Sequence, residues 1–183
     1  RYDALSRITQ GFSLKTPNLK TEGAHSLWGV GYDKNGNIAQ LTRNGILNGR
    51  TQMIDQLNYT YDSGNKLVKV VDTAPESAKL EGFKGSTNSN DAYTYDRNGN
   101  MTTDANKGIS NIGYNHLNLP ITISFNHANT PQIKYTYSAT GVKLRKQVHQ
   151  NGALTTTDYA NGFIYENNSL QFVSHPEGYV QPN

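Results

Sequence analysis

The sequence has no cysteine among its 183 residues. A disulfide framework, a cysteine-ligated zinc site and a thiol nucleophile are therefore all excluded. Charged residues make up 17% of the chain, below the roughly 25% of an ordinary domain. The formal net charge of +3 is too small to predict binding to nucleic acid. No run of about 18 apolar residues occurs, so the sequence predicts no membrane-spanning helix.

Asparagine, glycine and tyrosine are abundant instead. The chain has 22 Asn, 17 Gly and 12 Tyr. Asn and Gly favour tight turns because both tolerate a left-handed backbone. Tyr is common in strands and is not typical of disordered segments. Together they predict many short strands that are joined by tight turns.

A short motif recurs along the chain, and we call it the Tyr-Asp repeat. The two strongest copies are Tyr-Asp-Lys-Asn-Gly-Asn-Ile at residues 32–38 and Tyr-Asp-Arg-Asn-Gly-Asn-Met at residues 95–101. Weaker copies start at Tyr2, Tyr61, Tyr114, Tyr137 and Tyr165. The intervals between copies vary from 19 to 34 residues, which favours hairpins of different length over the identical rungs of a solenoid.

Each part of the motif predicts a local structure. Asp33 can accept a hydrogen bond from the backbone two residues on and so start a turn. Asn115 and Ser138 can do the same in their copies, whereas Glu166 is one methylene too long. The Asn-Gly pair is typical of a two-residue hairpin turn with positive φ angles. The apolar residue that follows, such as Ile38, is predicted to open the return strand.

In three copies a second tyrosine stands two residues before the motif, in Tyr-Thr-Tyr. Tyrosines at i and i+2 share one face of a strand, so we interpret them as packing residues. The residues predicted to build the repeat are Tyr2, Asp3, Tyr32, Asp33, Asn35, Gly36, Asn37, Tyr59, Tyr61, Asp62, Gly64, Tyr93, Tyr95, Asp96, Asn98, Gly99, Asn100, Tyr114, Tyr135, Tyr137, Gly141 and Tyr165.

The predicted fold is all-β, a curved antiparallel sheet of successive hairpins, with fewer than about 10% of residues in helices. We expect one repeat segment over residues 1–183, with long loops at about residues 13–23 and 73–91. Phe83, between Gly82 and Lys84, is the predicted anchor of the second loop.

No motif points to catalysis or to a bound metal. In the two strong copies Gly stands at the fourth position when Asp is counted as the first, whereas a calcium loop of the EF-hand type needs Gly at the sixth position. The five His lack the spacing of a zinc protease. Neither a nucleophile elbow nor a phosphate-binding loop occurs. We therefore predict no enzyme activity, no cofactor and no metal site.

The motif Tyr-Asp-x-Asn-Gly-Asn-apolar resembles the YD repeat of the bacterial Rhs family, which toxin-complex cocoon proteins and animal teneurins share. Residues 114–120 are similar to a familiar variant of that repeat. Residues 175–179, His-Pro-Glu-Gly-Tyr, resemble the segment that precedes the Rhs-associated core.

The resemblance implies a spiral strip of β-sheet that forms part of a hollow shell. Such a shell encapsulates a C-terminal effector polypeptide, often a polymorphic toxin, and a protease-like core beyond this segment releases it. The chain is then a fragment of a much longer bacterial protein that is secreted or displayed at the cell surface. Its expected partners are the rest of its parent chain, the enclosed polypeptide, or a neighbouring protein that pairs along a sheet edge.

A second function stays open on the residues alone. Tyr- and Asn-rich strands can also form a cell-surface binding module for glycans or for a protein partner. A structural repeat needs the same residues at every turn, whereas a binding site needs one place that differs. The sequence shows the same residues recurring, which favours the structural role.

Overall fold

The structure, a computed structural model, describes residues 1–14, 22–85 and 92–182. Strands account for 59% of these described residues and helical turns for 4%. The prediction of a nearly all-β fold with fewer than about 10% helix is therefore confirmed. The helical residues are two short 3-10 turns, Glu76–Ala78 and Ala105–Lys107.

The described residues form two antiparallel sheets. The strands are β1 (Gly11–Leu14), β2 (Glu22–Tyr32), β3 (Ile38–Leu47), β4 (Arg50–Tyr61), β5 (Leu67–Asp72), β6 (Tyr93–Tyr95), β7 (Met101–Asp104), β8 (Ile109–Tyr114), β9 (Pro120–Phe125), β10 (Gln132–Tyr137), β11 (Lys143–Gln150), β12 (Ala153–Ala160), β13 (Phe163–Glu166), β14 (Ser169–His175) and β15 (Gly178–Val180). One sheet contains β1 to β5 and the other β6 to β15. Within each sheet every strand lies beside its neighbours in sequence. This is the expected succession of hairpins.

The contacts divide the chain into two compact units. The first unit contains Arg1–Tyr93 with Ala105–Lys107, and the second contains Thr94–Asp104 with Gly108–Asn183. The Tyr-Asp repeats occur in both units. The predicted loop at about residues 13–23 falls mainly on residues 15–21, which lie outside the described residues, although residues 13–14 end β1 and residues 22–23 begin β2.

The first unit has a small buried core. Its buried apolar side chains are Val30, Ile54, Leu57, Val70, Ala74, Ala78, Ala92 and Tyr93. Three of these, Ala74, Ala78 and Ala92, lie outside the strands. The described part of the second predicted loop, residues 73–85, therefore packs on the sheet.

The second unit is a single sheet with little buried surface. Among its described residues only Thr157 is buried. Apolar side chains instead form a half-buried row across four strands, because Ile112 pairs with Ile123, Ile123 with Ile133, and Ile133 with Val148. Directly paired residues point to the same face of a sheet, so this row gives the sheet one apolar face.

The prediction of a two-residue turn in the strong Tyr-Asp copies is wrong. The N–H of Asp33 donates to the carbonyl of Asn37 at 2.9 Å, which leaves residues 34–36 as a three-residue loop. Gly36 (φ 89°) and Gly99 (φ 85°) occupy the left-handed region, which confirms the prediction of a positive φ at one or both residues of each Asn-Gly pair. A three-residue loop of this kind is a type I turn followed by a left-handed residue that forms a bulge.

Two-residue turns with two left-handed residues occur elsewhere in the sheets. They are formed by Asn48-Gly49, Asn151-Gly152, Asn161-Gly162 and Asn167-Asn168, and they join β3 to β4, β11 to β12, β12 to β13 and β13 to β14. The last of them belongs to the Tyr165 copy, which therefore has a different turn from the other copies.

We predict that Gly36→Val lowers the free energy of unfolding by more than about 1 kcal/mol, because a side chain with a Cβ is penalised in the left-handed region. Gly64→Val is the matched control, since Gly64 lies one position earlier in the equivalent turn with an ordinary φ. Urea denaturation of both variants measures the difference. Equal denaturation midpoints for the two variants would refute the assignment of Gly36 to the left-handed region.

Candidate functional site

The recurring feature of both units is the turn of the Tyr-Asp repeat. A single side chain stabilises this turn by accepting hydrogen bonds from its backbone. Oδ1 of Asp33 accepts the backbone N–H of Asn35 at 2.9 Å and that of Asn37 at 2.8 Å. The N–H of Gly36 donates to the Asp33 carbonyl at 3.2 Å. These bonds satisfy the backbone donors that the three-residue loop would otherwise leave unpaired.

Six copies form the same turn with the same hydrogen bonds. A side-chain oxygen accepts the N–H groups two and four residues on; the acceptors are Asp3, Asp33, Asp62, Asp96, Asn115 and Ser138. The residue three positions after the acceptor is left-handed in each case: Ser6, Gly36, Asn65, Gly99, Asn118 and Gly141. The prediction that Asn115 and Ser138 replace aspartate is confirmed.

The last asparagine of the strong copies has a role that sequence reasoning missed. Nδ2 of Asn37 donates to Oδ2 of Asp33 at 2.9 Å, and Asn100 does the same to Asp96. In the first copy Arg7 takes this place, with its Nε 2.8 Å from Oδ2 of Asp3. Both carboxylate oxygens of these aspartates are therefore hydrogen-bonded within the turn.

These bonds favour the ionised carboxylates. The side-chain hydrogen bond from Asn37 and the backbone N–H groups of the turn lower the pKa of Asp33 below its ordinary value of 3.8. The equivalent bonds lower the pKa of Asp96. For Asp3 the main cause of the lowered pKa is the backbone N–H of Arg7.

In four copies the tyrosine of the motif connects its turn to the preceding one. The hydroxyl of Tyr32 donates to the carbonyl of Ile8 at 2.7 Å, and the hydroxyl of Tyr61 donates to that of Ile38 at 2.9 Å. In the second unit Tyr114 donates to Met101 at 2.7 Å and Tyr137 to Pro120 at 3.0 Å. The acceptor is always the residue six positions after the preceding motif tyrosine. We call this series the tyrosine ladder.

Burial in the sheet raises the pKa of Tyr61 and of Tyr114 above 10.0, and the nearby carboxylates of Asp33 and Asp96 act in the same direction. Burial likewise raises the pKa of Tyr137. These hydroxyls therefore stay protonated, as hydrogen-bond donors must.

Asparagine side chains also join one turn to the next. Nδ2 of Asn35 and Nδ2 of Asn37 both donate to Oδ1 of Asn65, at 2.7 and 2.9 Å. In the second unit Asn98 and Asn100 donate to Oδ1 of Asn118, at 3.0 and 2.9 Å. Each Asn-Gly-Asn turn is thus followed by a turn whose left-handed residue is asparagine. Sequence reasoning assigned Asn65 and Asn118 no role.

The first tyrosines of the Tyr-Thr-Tyr copies are placed as packing residues. Tyr93 is buried and its hydroxyl accepts a hydrogen bond from Asn106 at 3.0 Å. Burial raises the pKa of Tyr59. The ring centroids of Tyr135 and Tyr137 lie 6.3 Å apart, as expected for tyrosines on one strand face. Nζ of Lys143 lies 4.9 Å from the centre of the Tyr135 ring.

A buried aspartate on β4 holds the second predicted loop on the first sheet. Asp55 is 1% exposed, and its carboxylate accepts hydrogen bonds from Nε of Arg43 and from the N–H of Phe83. A Cβ on Gly82 would lie 2.2 Å from the carbonyl oxygen of Ile54, so glycine is required there. Phe83 is thus at the anchor point, as predicted, but the anchoring group is its backbone N–H.

The described residues contain no group of three or more His, Asp or Glu side chains placed to hold a metal ion. Within the same ranges, no helix is long and apolar enough to span a membrane. No family model matches the chain, and no curated protein has significant sequence similarity to it.

We predict that the turn aspartates make stability sensitive to acid. Because folding lowers the pKa of Asp33, its contribution is present above the unfolded value of 3.8 and is lost as the pH falls through the folded pKa. Asp33→Asn should therefore flatten the decline of the unfolding free energy between about pH 5 and about pH 2. Asn115→Asp, which adds a carboxylate to an equivalent turn, should steepen it.

Denaturant unfolding at a series of pH values measures both slopes. If both variants show the same dependence of the unfolding free energy on pH as the wild type, folding does not lower the pKa of the turn carboxylates. The proposed effect of the turn hydrogen bonds on stability would then be wrong.

Proposed function

We propose that the chain is a non-catalytic structural segment of a large secreted or surface protein of the Rhs/YD-repeat type. In this role its hairpins form part of a β-shell that encapsulates or displays a C-terminal effector polypeptide. The proposal rests on the resemblance of the motif together with the way in which the repeat uses its own polar groups.

The observation that supports this role best is that the repeat residues bind one another. Four motif tyrosines donate their hydroxyls to the backbone of the preceding repeat. The side-chain acceptors bind backbone N–H groups within their own turns. Asn65 and Asn118 accept hydrogen bonds from the asparagine side chains of the preceding turn. A glycan-binding surface would need these donors and acceptors for its ligand. Their internal use favours a scaffold over the alternative of a Tyr- and Asn-rich binding module.

The second sheet also presents surfaces that a larger assembly would cover. Its apolar row from Ile112 to Val148 is half-buried, and at the far end Phe172 and Tyr179 meet edge to face with ring centroids 5.6 Å apart. A polypeptide enclosed by a shell, or another part of the parent chain, would shield such a face.

Edge pairing is the second route to a partner. β1 and β15 are outermost in their sheets, and an outermost strand offers unpaired N–H and C=O groups to an added strand. Neighbouring hairpins of the same parent chain are the partners that the repeat itself suggests.

Limited proteolysis of the complete natural polypeptide tests the proposal. We predict that the region C-terminal to this chain resists protease in the wild type and becomes sensitive when Gly36→Val and Gly99→Val distort two turns. The Gly64→Val protein is the control and should keep its protection. A C-terminal region that is digested equally fast in all three proteins would contradict encapsulation, and glycan binding by the isolated chain would favour the binding module.

A further inference from the structure

The six Asn-Gly dipeptides of the chain lie in different structural settings. They are residues 35–36, 44–45, 48–49, 98–99, 151–152 and 161–162. Two belong to Tyr-Asp turns, three to two-residue hairpin turns, and one lies inside β3. Since the dipeptide is the same in every case, we attribute differences in its reactivity to its surroundings in the fold.

Asn-Gly is the dipeptide most prone to spontaneous deamidation, because glycine leaves its own backbone nitrogen sterically open. That nitrogen attacks Cγ of the asparagine side chain, the Cγ–Nδ2 bond breaks, and ammonia leaves with the proton that the glycine nitrogen gives up. The resulting succinimide is opened by water at either carbonyl and yields aspartate or isoaspartate. The reaction needs no oxidant, reductant or enzyme.

In the Tyr-Asp turns both reacting groups are held. The N–H of Gly36 donates to the carbonyl of Asp33 at 3.2 Å, and Nδ2 of Asn35 donates to Asn65 at 2.7 Å. The equivalent bonds of Gly99 to Asp96 and of Asn98 to Asn118 are 3.1 and 3.0 Å. Attack requires the glycine nitrogen and the amide to turn toward each other, so these bonds must first break.

Asn48-Gly49 lies open at the tip of the β3–β4 hairpin. Both residues are exposed, and a Cβ on Gly49 would have no atom within 4 Å. Across the ranges that the structure describes, neither the N–H of Gly49 nor the side chain of Asn48 makes a hydrogen bond. No hydrogen bond of either reacting group therefore has to break before the attack.

Asn151-Gly152 is equally open at the tip of the β11–β12 hairpin. Gly152 also has no atom within 4 Å of an added Cβ. Oδ1 of Asn151 accepts one long hydrogen bond of 3.2 Å from Asn129, which leaves the attacked Cγ accessible. The third hairpin pair differs, because its glycine packs against β14: the N–H of Ser174 donates to the carbonyl of Gly162 at 2.7 Å, and a Cβ on Gly162 would lie 3.0 Å from the carbonyl oxygen of Ser174.

We propose that Asn48 and Asn151 are sites of spontaneous deamidation in the folded protein, and that the Tyr-Asp turns protect Asn35 and Asn98 from the same reaction. Each conversion adds one negative charge at the tip of a hairpin. The modification is thereby directed away from the turns that carry the tyrosine ladder.

Incubation of the intact chain in mildly alkaline buffer, followed by peptide mapping, tests this proposal. Mass spectrometry measures aspartate and isoaspartate at each Asn-Gly pair, and the same chain in denaturant gives the rate for each pair without the fold. In the folded protein we expect Asn48 and Asn151 to react near their unfolded rates. Asn35 and Asn98 should react about tenfold more slowly than when unfolded, since hydrogen bonds must open first.

The result that would overturn the proposal is equal deamidation of Asn35 and Asn48 in the folded chain. A folded chain in which Asn48 and Asn151 are as slow as Asn98 would overturn it too. Asn44, whose glycine is paired within the β3–β4 ladder, is the internal control for a folded protein and should remain unmodified.

Discussion

One side-chain oxygen that accepts two backbone N–H groups is the interaction on which each Tyr-Asp turn depends. A three-residue hairpin loop leaves backbone donors without a partner in the ladder, and unpaired donors are costly. Aspartate, asparagine or serine at the first position places an oxygen within reach of the N–H groups two and four residues on. That geometry fixes the length of the loop and, with it, the position of the tyrosine that ends the incoming strand.

The tyrosine position in turn determines how one hairpin contacts the next. Four motif tyrosines donate their hydroxyls to the carbonyl of the residue that follows the preceding turn. Asparagines on the turns add side-chain bonds in the same direction. Individually such bonds contribute about 1 kcal/mol. Within the described part of the second unit only one residue is buried, so hairpin-to-hairpin contacts must provide much of what a closed core provides in other domains.

The general architecture and the turn acceptors could be predicted from the sequence because they depend on local chemistry. The side-chain oxygens of Asp33, Asn115 and Ser138 accept hydrogen bonds from N–H groups that are at most four residues away in the sequence. The loop length was predicted wrongly, because Asn-Gly occurs both in three-residue loops, as at residues 35–36, and in two-residue turns, as at residues 48–49. The distinguishing signal is the aspartate two positions before the asparagine, since its oxygen needs the longer loop.

Contacts between distant residues could not be predicted in the same way. The side chain of Asn65 accepts hydrogen bonds from two asparagines of a turn about thirty residues earlier. Nothing in the sequence around Asn65 indicates this role. The buried Asp55 binds the backbone N–H of Phe83 across 28 residues. A lone aspartate between Ile54 and Gln56 carries no local signal of burial, because the glycine that permits the approach, Gly82, lies in another segment. Such partners become visible only when the hairpins are placed side by side.

The claim that the tyrosine ladder joins successive hairpins is tested most directly by removing one hydroxyl. Tyr61→Phe keeps the ring and deletes only the donor to Ile38, so the unfolding free energy should fall by about 1 kcal/mol. Tyr2→Phe is the control, because Tyr2 is 71% exposed and its hydroxyl makes no hydrogen bond within the described residues; its stability should be unchanged. Equal denaturation midpoints for Tyr61→Phe, Tyr2→Phe and the wild type would contradict the account.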